Sequence, residues 1–389
     1  MRLEIINGDK ANRNAEVRIK STFYGLLLYN AHSNCLIKCV ADAVFNILFL
    51  PDQMANIKYK VCVLTVTYGN RWRFLEQVLR RVLSFAEVVQ VVIVDNASDF
   101  KAIKEVRQFR DTRLKVINNV DNQGSAGGYK QAVEFAHLFV DTDFIWLLDD
   151  DNLPDENALA ILLQKWDEIS GADDEKALFC LRTDRKPHIK IAQGENPYRY
   201  YLVPNNFLGF SLTRIFYNRF LKLQDRFKKP GTFKDHVKIP YVPYGGLLLH
   251  HKIIDKIGYP NENFFLYVDD SEYTYRITAS GGTIWLIPES KITDVDQSQG
   301  INYHKKIFAS SFLNQWNFRI YYHVRNRLFF YKPITVKNEF LFNLNKSIFL
   351  NWLKLISIIS SKQREYQKLL IAVSDGLNSN LGKADPKKF

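Results

Sequence analysis

The stretch FIWLLDDDNLP, residues 144–154, runs five mostly apolar residues straight into three consecutive aspartates, Asp149, Asp150 and Asp151. Adjacent carboxylates at the end of a buried strand repel one another and lose hydration, so something must compensate their charge. The same layout recurs upstream. KVCVLTVT (60–67) is a short β-branched run ending in the turn YGNR, and VVQVVIVDNAS (88–98) is a second buried run that ends at Asp95. RFLEQVLRRVLSF between them has apolar residues at helical spacing. RLKVINNVDNQGSAGGY (113–129) reads as a third strand and a glycine-rich loop, and YKQAVEFAHLF as a helix. This alternation within about 95 residues predicts a parallel α/β sheet. In such sheets ligands bind at the carboxyl ends of the strands, where Asp95 and Asp149–Asp151 both stand.

The second half is less regular. NNFLGFSLTRIF (205–216) and residues 238–292 read as strands and helices around a further acidic group, FFLYVDDSEY (264–273). From residue 312 onward the chain reads as helices apolar on one side and basic on the other. No internal repeat or low-complexity segment is evident.

The 389 residues suffice for one large domain plus extensions, or for two domains, and 47% hydrophobic residues argue for a sizeable core. The charge is uneven: residues 301–389 carry 15 Lys/Arg against four acids, a surplus of 11 out of the total +12. The basic surface therefore lies in the last quarter. Four cysteines (Cys35, Cys39, Cys62, Cys180) are too scattered for a disulfide framework, and Cys35, Cys39 and His32 lack the second ligand pair of a zinc site. A reducing cytoplasm is the expected compartment. No run reaches the ~18 apolar residues needed to span a bilayer; VADAVFNILFL (40–50) contains Asp42, and the polar start does not read as a signal peptide.

Packed carboxylates at a strand end suit a hard divalent cation, Mg²⁺ or Mn²⁺, which commonly bridges to phosphates. The loop DNQGSAGG (121–128) is neither GxxxxGK[ST] nor GxGxxG, yet its glycines allow close backbone approach to a ligand.

In this order and spacing, VLTVTYGNR, VVIVDNAS, NQGSAGGY and WLLDDDNLP resemble the family 2 inverting glycosyltransferases with the nucleotide-sugar-binding GT-A fold. YGGLLLHHKIIDKIGYPNENFFLYVDDSEYTYRI (244–277) resembles that family's acceptor-side segment. The resemblance covers about residues 58–330 and, weakly, AVSDGLNSNLGK (372–383). AGG with a full DDD triplet is similar to the galactofuranosyltransferase-like branch. The expected organisation is an N-terminal extension (1–57), a GT-A domain (58–330, halves 58–155 and 156–330) and a basic helical C-terminal region (331–389).

The resemblance implies roles. Asp95 contacts the donor's uracil or ribose, with a turn-forming cap as the plain alternative. Thr67, Tyr68, Arg71 and Asn122 line the same pocket with Asp149 and Asp150. Asp149 and Asp151 hold the metal. Asp270 is the general base, with Asp269 beside it and Glu272, Gly245 and Gly246 on the acceptor side; the plain alternative for the two aspartates is a helix N-cap. Relatives carry a metal-binding histidine after this strand, where PESKITD (288–294) places Asp294; Asp294 or Asp296 stands in, or the ligand is lost, and His304 is the nearest histidine downstream. In YYHVRNR (321–327), Arg325 is either a diphosphate or acceptor contact or a surface ion-pair residue.

The implied function is metal-dependent, inverting transfer of a sugar, galactofuranose from its UDP donor, onto a growing lipid-linked glycan. The basic, aromatic-rich tail suits an anionic membrane surface, giving a peripheral protein on the inner face of the cell membrane. A rhamnosyl- or other hexosyltransferase of the same fold is the nearest alternative. Nucleic-acid binding through the tail would leave the acidic strand ends unexplained. A homo-oligomer stays open.

Overall fold

The computed structural model describes residues 57–227, 231–296 and 310–389. The N-terminal extension, Cys35, Cys39, His32 and His304 lie outside the described residues. Lys58–Phe389 is one compact unit.

The chain enters a sheet at β1 (Val61–Thr67), turns into α1 (Trp72–Leu83), and returns as β2 (Val88–Asp95). A short α2 (Ala102–Val106) leads to β3 (Leu114–Asn118), then α3 (Gly124–Phe139) and β4 (Phe144–Leu147). β5 (Asn152–Pro154), α4 (Ala158–Glu168), β6 (Lys176–Arg182), α5 (Lys186–Ala192) and α6 (Leu212–Phe227) follow. Next come β7 (Val237–Ile239), β8 (Leu247–His250), α7 (Lys252–Ile257), α8 (Asp269–Ala279) and β9 (Thr283–Asp294). The described chain ends in α9 (Ser311–Asn314), α10 (Phe318–Thr335), α11 (Glu339–Ile359) and α12 (Gln363–Leu377).

The strands order as β3-β2-β1-β4-β8-β6-β9-β5, with β7 on β9. The expected parallel pairing holds over β3-β2-β1-β4. Beyond β4 the sheet is mixed: β8 is antiparallel to both β4 and β6, while β6 and β9 are parallel.

The continuous apolar runs arise because both faces are covered. Val61, Val63, Phe144, Trp146 and Leu148 pack on one face with Leu75, Val78, Leu79 and Val82 of α1 and Leu159 and Leu162 of α4. Their alternates Cys62, Leu64, Val66, Ile145 and Leu147 pack on the other with Tyr129, Ala132, Val133 and Ala136 of α3. Cys62 and Cys180 are buried free thiols.

The glycine-rich stretch departs from its reading as a loop. From Gly124 onward it is the first turn of α3, and its small residues let that helix press onto neighbours. A Cβ on Gly128 would sit 2.6 Å from Val66 Cγ1, and one on Gly124 would sit 1.8 Å from the carbonyl oxygen of Phe265. Close packing overrides the low helix propensity of glycine.

The C-terminal helices form a further apolar cluster around Tyr321, Tyr322, Val324, Phe349, Leu353 and Leu369. Here α11 differs from its one-sided reading. Phe342, Phe349, Leu353 and Ile356 are buried, while Phe340, Trp352, Leu355, Ile358 and Ile359 are exposed on another side. Among the described residues no helix is long and apolar enough to cross a membrane.

Candidate functional site

The carboxyl ends of β1 and β4 lie side by side, so Thr67 and Arg71 meet the aspartate triplet. Thr67 Oγ1 donates to Asp150 Oδ2 at 2.8 Å. Arg71 Nε donates to both oxygens of Asp150 (2.8 and 2.9 Å), Nη2 to Asp151 (2.5 Å) and Nη1 to Asp296 (2.6 Å). This guanidinium is 6% exposed. Tyr68 lies 5.7 Å from it, ring centroid to Cζ, and is partly open to solvent.

A second buried arginine, Arg182 at the end of β6, faces the triplet from the other side. It donates to Asn152 Oδ1 (3.1 Å), Asp184 (3.0 Å) and Asp294 (3.2 Å), and its Nη1 lies 3.9 Å from Asp149 Oδ2. Guanidiniums therefore compensate part of the strand-end charge that the sequence assigns to a divalent cation. Asp294, expected as the third metal ligand, pairs with Arg182 and accepts the backbone N–H of Asp296. Among the described residues no three acids, histidines or cysteines converge on a point where a metal ion would sit.

The donor chemistry nonetheless fits a hard cation. Asp149, Asp150, Asp151, Asp184, Asp294 and Asp296 outnumber Arg71, Arg182 and the flanking Arg185. Burial pushes Asp150 up to about 7 and Asp294 up to about 6. Asp149 and Asp151 are raised too, by burial first and then by like charges around them. Asp149 has the most open carboxylate of the cluster, 40% exposed. Residual negative charge at a strand end is the condition a divalent ion meets.

The second acidic pair reaches the same place through α3. Ser125 Oγ donates to Asp269 (2.9 Å to Oδ2), and one helical turn on, the Tyr129 hydroxyl lies 2.9 Å from Asp149 Oδ1. Residues i and i+4 share a helix face, so one helix ties both acids to one side of the site. Asp269 is buried and Asp270 half-buried; burial raises both, and for Asp269 the neighbouring Asp270 adds to it. Both stand in the first turn of α8, where the helix dipole favours anions. Asp270 Oδ1 accepts the N–H of Ser271.

The loop delivering them is strained. Phe265 (φ 64°, ψ −62°) is the centre of a γ-turn closed by Leu266 N–H to Phe264 O at 2.8 Å, and Tyr267 and Val268 also have positive φ. For a β-branched residue such as Val268 this backbone is an outlier. Asn326, wholly buried, places its Nδ2 2.8–2.9 Å from the carbonyls of Phe264, Leu266 and Tyr267. Arg325 donates to Phe264 O (3.0 Å) and Gly382 O (2.7 Å) and is 1% exposed. This corrects both readings of Arg325: it touches neither an acceptor cleft nor a surface partner, because backbone carbonyls surround it.

The other expected residues divide. Gly245 borders the site: a Cβ there would lie 2.7 Å from Asp149 Oδ2 and 1.7 Å from Asn152 Oδ1. Gly246, by contrast, is packed among Ile292, Cys180 and Phe179, with its N–H on Leu147 O. Glu272 is held by Arg276 at 2.7 Å. Asp95 accepts from Ser98 N–H (2.9 Å) and from the Ser98 hydroxyl, the turn-cap arrangement. Asn122 Oδ1 accepts Gly124 N–H (2.7 Å) and shapes the turn into α3.

Four residues outside the sequence expectations organise the site: Arg182, Tyr129, Asn326 and Asn96. Asn96, 2% exposed, bonds Gly124 O, Gln123 N–H, Asn119 and Asn122. Tyr129, Asn96 and Asn326 stand inside the motifs NQGSAGGY, VVIVDNAS and YYHVRNR, and Arg182 is a cation ending a fully buried strand KALFCLR.

Residues 62–257 match the family model described as Glycosyl transferase family 2. No curated protein matches the sequence. Among solved structures, the chain is similar to GalNAc-T7 with UDP, GalNAc and Mn²⁺ (14% identity, 71% of this chain and 50% of that one, TM-score 0.47). It is also similar to the mannosyltransferase PcManGT from Pyrobaculum calidifontis with GDP-Man and Mn²⁺ (15%, 84% and 89%, 0.48). A third is S. aureus TarS 1–349 with UDP-GlcNAc (16%, 62% and 62%, 0.38). The chain spans about half the length of GalNAc-T7.

Proposed function

Taking as premise that the chain belongs to glycosyl transferase family 2 and has a GT-A fold, we propose that it transfers a hexose from a UDP-sugar to a glycan hydroxyl with inversion. Galactofuranose is the sugar that its AGG and DDD motifs suggest, and a lipid-linked glycan the acceptor. The catalytic domain is residues 58–330, with 331–389 folded against it through α10.

One observation carries the reading: Ser125 and Tyr129, on one face of α3, hold Asp269 and Asp149 to the same side of the site. A nucleotide site at the strand ends thus lies beside a buried acid pair. Asp270, the more open of that pair, takes the proton of the acceptor hydroxyl. The freed oxygen forms the new bond to the anomeric carbon opposite the diphosphate, whose bond to that carbon breaks. A carboxylate whose proton affinity is raised by burial is a better base than an ordinary aspartate. Asp269, fixed by Ser125, holds the start of α8 in place. Arg71 and Arg182 orient the triplet, and Tyr68 lines the nucleotide pocket. A divalent cation, Mn²⁺ or Mg²⁺, would be held by Asp149 and Asp151 and would offset charge on the departing diphosphate.

The test is to incubate the full chain with a panel of nucleotide sugars and Mn²⁺ and to measure nucleotide release. Release of UDP from a UDP-hexose is expected. Absence of release from every donor, with and without glycan acceptors, overturns the reading.

A further inference from the structure

Helix α6, LTRIFYNRFLKLQDRF, buries none of its described side chains. Leu212, Ile215, Phe220 and Leu223 recur at helical spacing and are exposed, the last two by 57% and 53%. Arg214 and Asn218 fall on the opposite side of the helix, while Arg219, four residues from both Ile215 and Leu223, adds a cation to the stripe itself. A water-soluble helix of this length normally covers such a stripe, and exposed apolar stripes of this kind mark contact surfaces. The start of α6 is anchored on α11: the Leu212 N–H donates to Asn345 Oδ1 (2.9 Å), and Asn345 Nδ2 donates to Asn205 O (2.8 Å). Helix α11 is the one with a second, uncovered apolar side, formed by Phe340, Trp352, Leu355, Ile358 and Ile359. Two uncovered apolar faces therefore belong to helices joined by a direct hydrogen bond.

Charge identifies the occupant. Residues 212–229 hold six basic residues (Arg214, Arg219, Lys222, Arg226, Lys228, Lys229) and one acid, Asp225. A second copy of this chain would bring the same cationic segment against itself, opposing like charges. An anionic bilayer supplies apolar depth for the stripe and negative charge for its flanks, the conditions under which an amphipathic helix lies in a membrane interface. We infer that α6 docks the enzyme on anionic membrane lipid. This moves the principal contact from the C-terminal tail into the middle of the chain. It rests on the lipid-linked acceptor reading, since a membrane-borne acceptor gives such docking its use.

The experiment is co-sedimentation of the full chain with vesicles of equimolar phosphatidylglycerol and phosphatidylcholine, against phosphatidylcholine alone, over a salt series. Binding to the anionic vesicles that weakens with salt is expected. Phe220→Glu/Leu223→Glu should partition at least about tenfold more weakly, about 1.4 kcal/mol, while releasing nucleotide from a soluble donor at the wild-type rate. Phe220→Leu should bind like wild type. No wild-type binding, or equal binding by the double glutamate variant, overturns the inference. So does a wild-type oligomer that the glutamates dissolve without any vesicle binding, because the face is then a contact between copies. Failure of the glycosyltransferase reading shows separately, as absence of nucleotide release in both proteins.

Discussion

Replacing Arg71 with alanine probes the charge balance of the site directly. Its guanidinium serves Asp150, Asp151 and Asp296 at 2.5–2.9 Å and is almost wholly buried. Removing one partner of a buried ionic network costs about 3–5 kcal/mol, because the remaining charges lose their compensation. With an unfolding entropy of about 2.1 cal/mol/K per residue over Lys58–Phe389, each kcal/mol shifts the melting temperature by about 1.4 °C, so it should fall by roughly 4–7 °C at pH 8. The pH dependence has a definite sign. Asp150 has a folded pKa of about 7, above its ordinary value. The folded state therefore binds the extra proton between those two values, and stability falls as pH rises through that window. Deleting Arg71 removes a cation that favours the ionised form, so the raised pKa values of Asp150 and Asp151 rise further. The deficit of the variant should therefore be largest near pH 8 and shrink towards pH 5, as protonation removes the uncompensated charge. Differential scanning calorimetry of both proteins across this range is the assay. A loss within about 1 °C at pH 8, or a deficit that grows on acidification, would refute the idea that Arg71 is the counter-charge of the triplet.

Asp270→Asn should keep donor affinity and lose turnover by about 10²–10⁴-fold; the rising limb of the wild-type pH–rate profile, displaced upward because burial raises both acids of the pair, should vanish with it. Retention of more than about a tenth of the rate would remove Asp270 from the role of base. Asp151→Ala should abolish Mn²⁺-dependent UDP binding in calorimetry while far-UV circular dichroism stays unchanged, and wild-type affinity in the variant would contradict its place in the donor site. Asn326→Ala should destabilise the protein by about 1–3 kcal/mol, through unpaired loop carbonyls, and lower kcat more than it changes the KM for donor. A loss of stability with full kcat would make Asn326 a packing residue only.

What the sequence made legible, and what it hid, follows from how each feature is encoded. The strands at 61–67, 88–95 and 144–147 are continuous apolar runs, and burial on both faces leaves that pattern in the chain itself. The aspartates at their ends stand out because acids seldom follow such runs. The first turn of α3 was hidden by its own glycines, whose smallness is required by Val66 and the Phe265 carbonyl, neither near it in sequence. The partners of Arg182 were hidden, because Asp149, Asp184 and Asp294 come from separate segments. Compensation by long-range ion pairs has no local period. Helix α6 carries a clear amphipathic pattern, yet the pattern reports an apolar side without saying what covers it.

The strained loop at 265–268 explains why two motifs remote in sequence belong to one device. Non-glycine residues in sparsely populated backbone regions cost about 1–3 kcal/mol each and persist only where their surroundings over-determine them. Phe265, Tyr267 and Val268 are three such residues, placed immediately before Asp269. Gly124 permits the approach of α3 to the Phe265 carbonyl, which accepts the N–H of Ala126 at 3.2 Å. From the other side, Arg325 and Asn326 donate to the carbonyls of Phe264, Leu266 and Tyr267. Hydrogen bonds from a charged donor contribute about 1.5–3 kcal/mol and neutral ones about 1, which is the order of the strain they oppose. The glycine-rich start of α3 and the Arg-Asn pair of α10 thus grip one short loop from two sides. Relaxing it would turn the first residues of α8 and separate Asp269 from Ser125. The same helix carries Tyr129 to Asp149, so the placement of the second acid pair relative to the strand ends is set by α3, and the hydrogen bonds that hold the loop against its strain keep Asp269 within reach of Ser125.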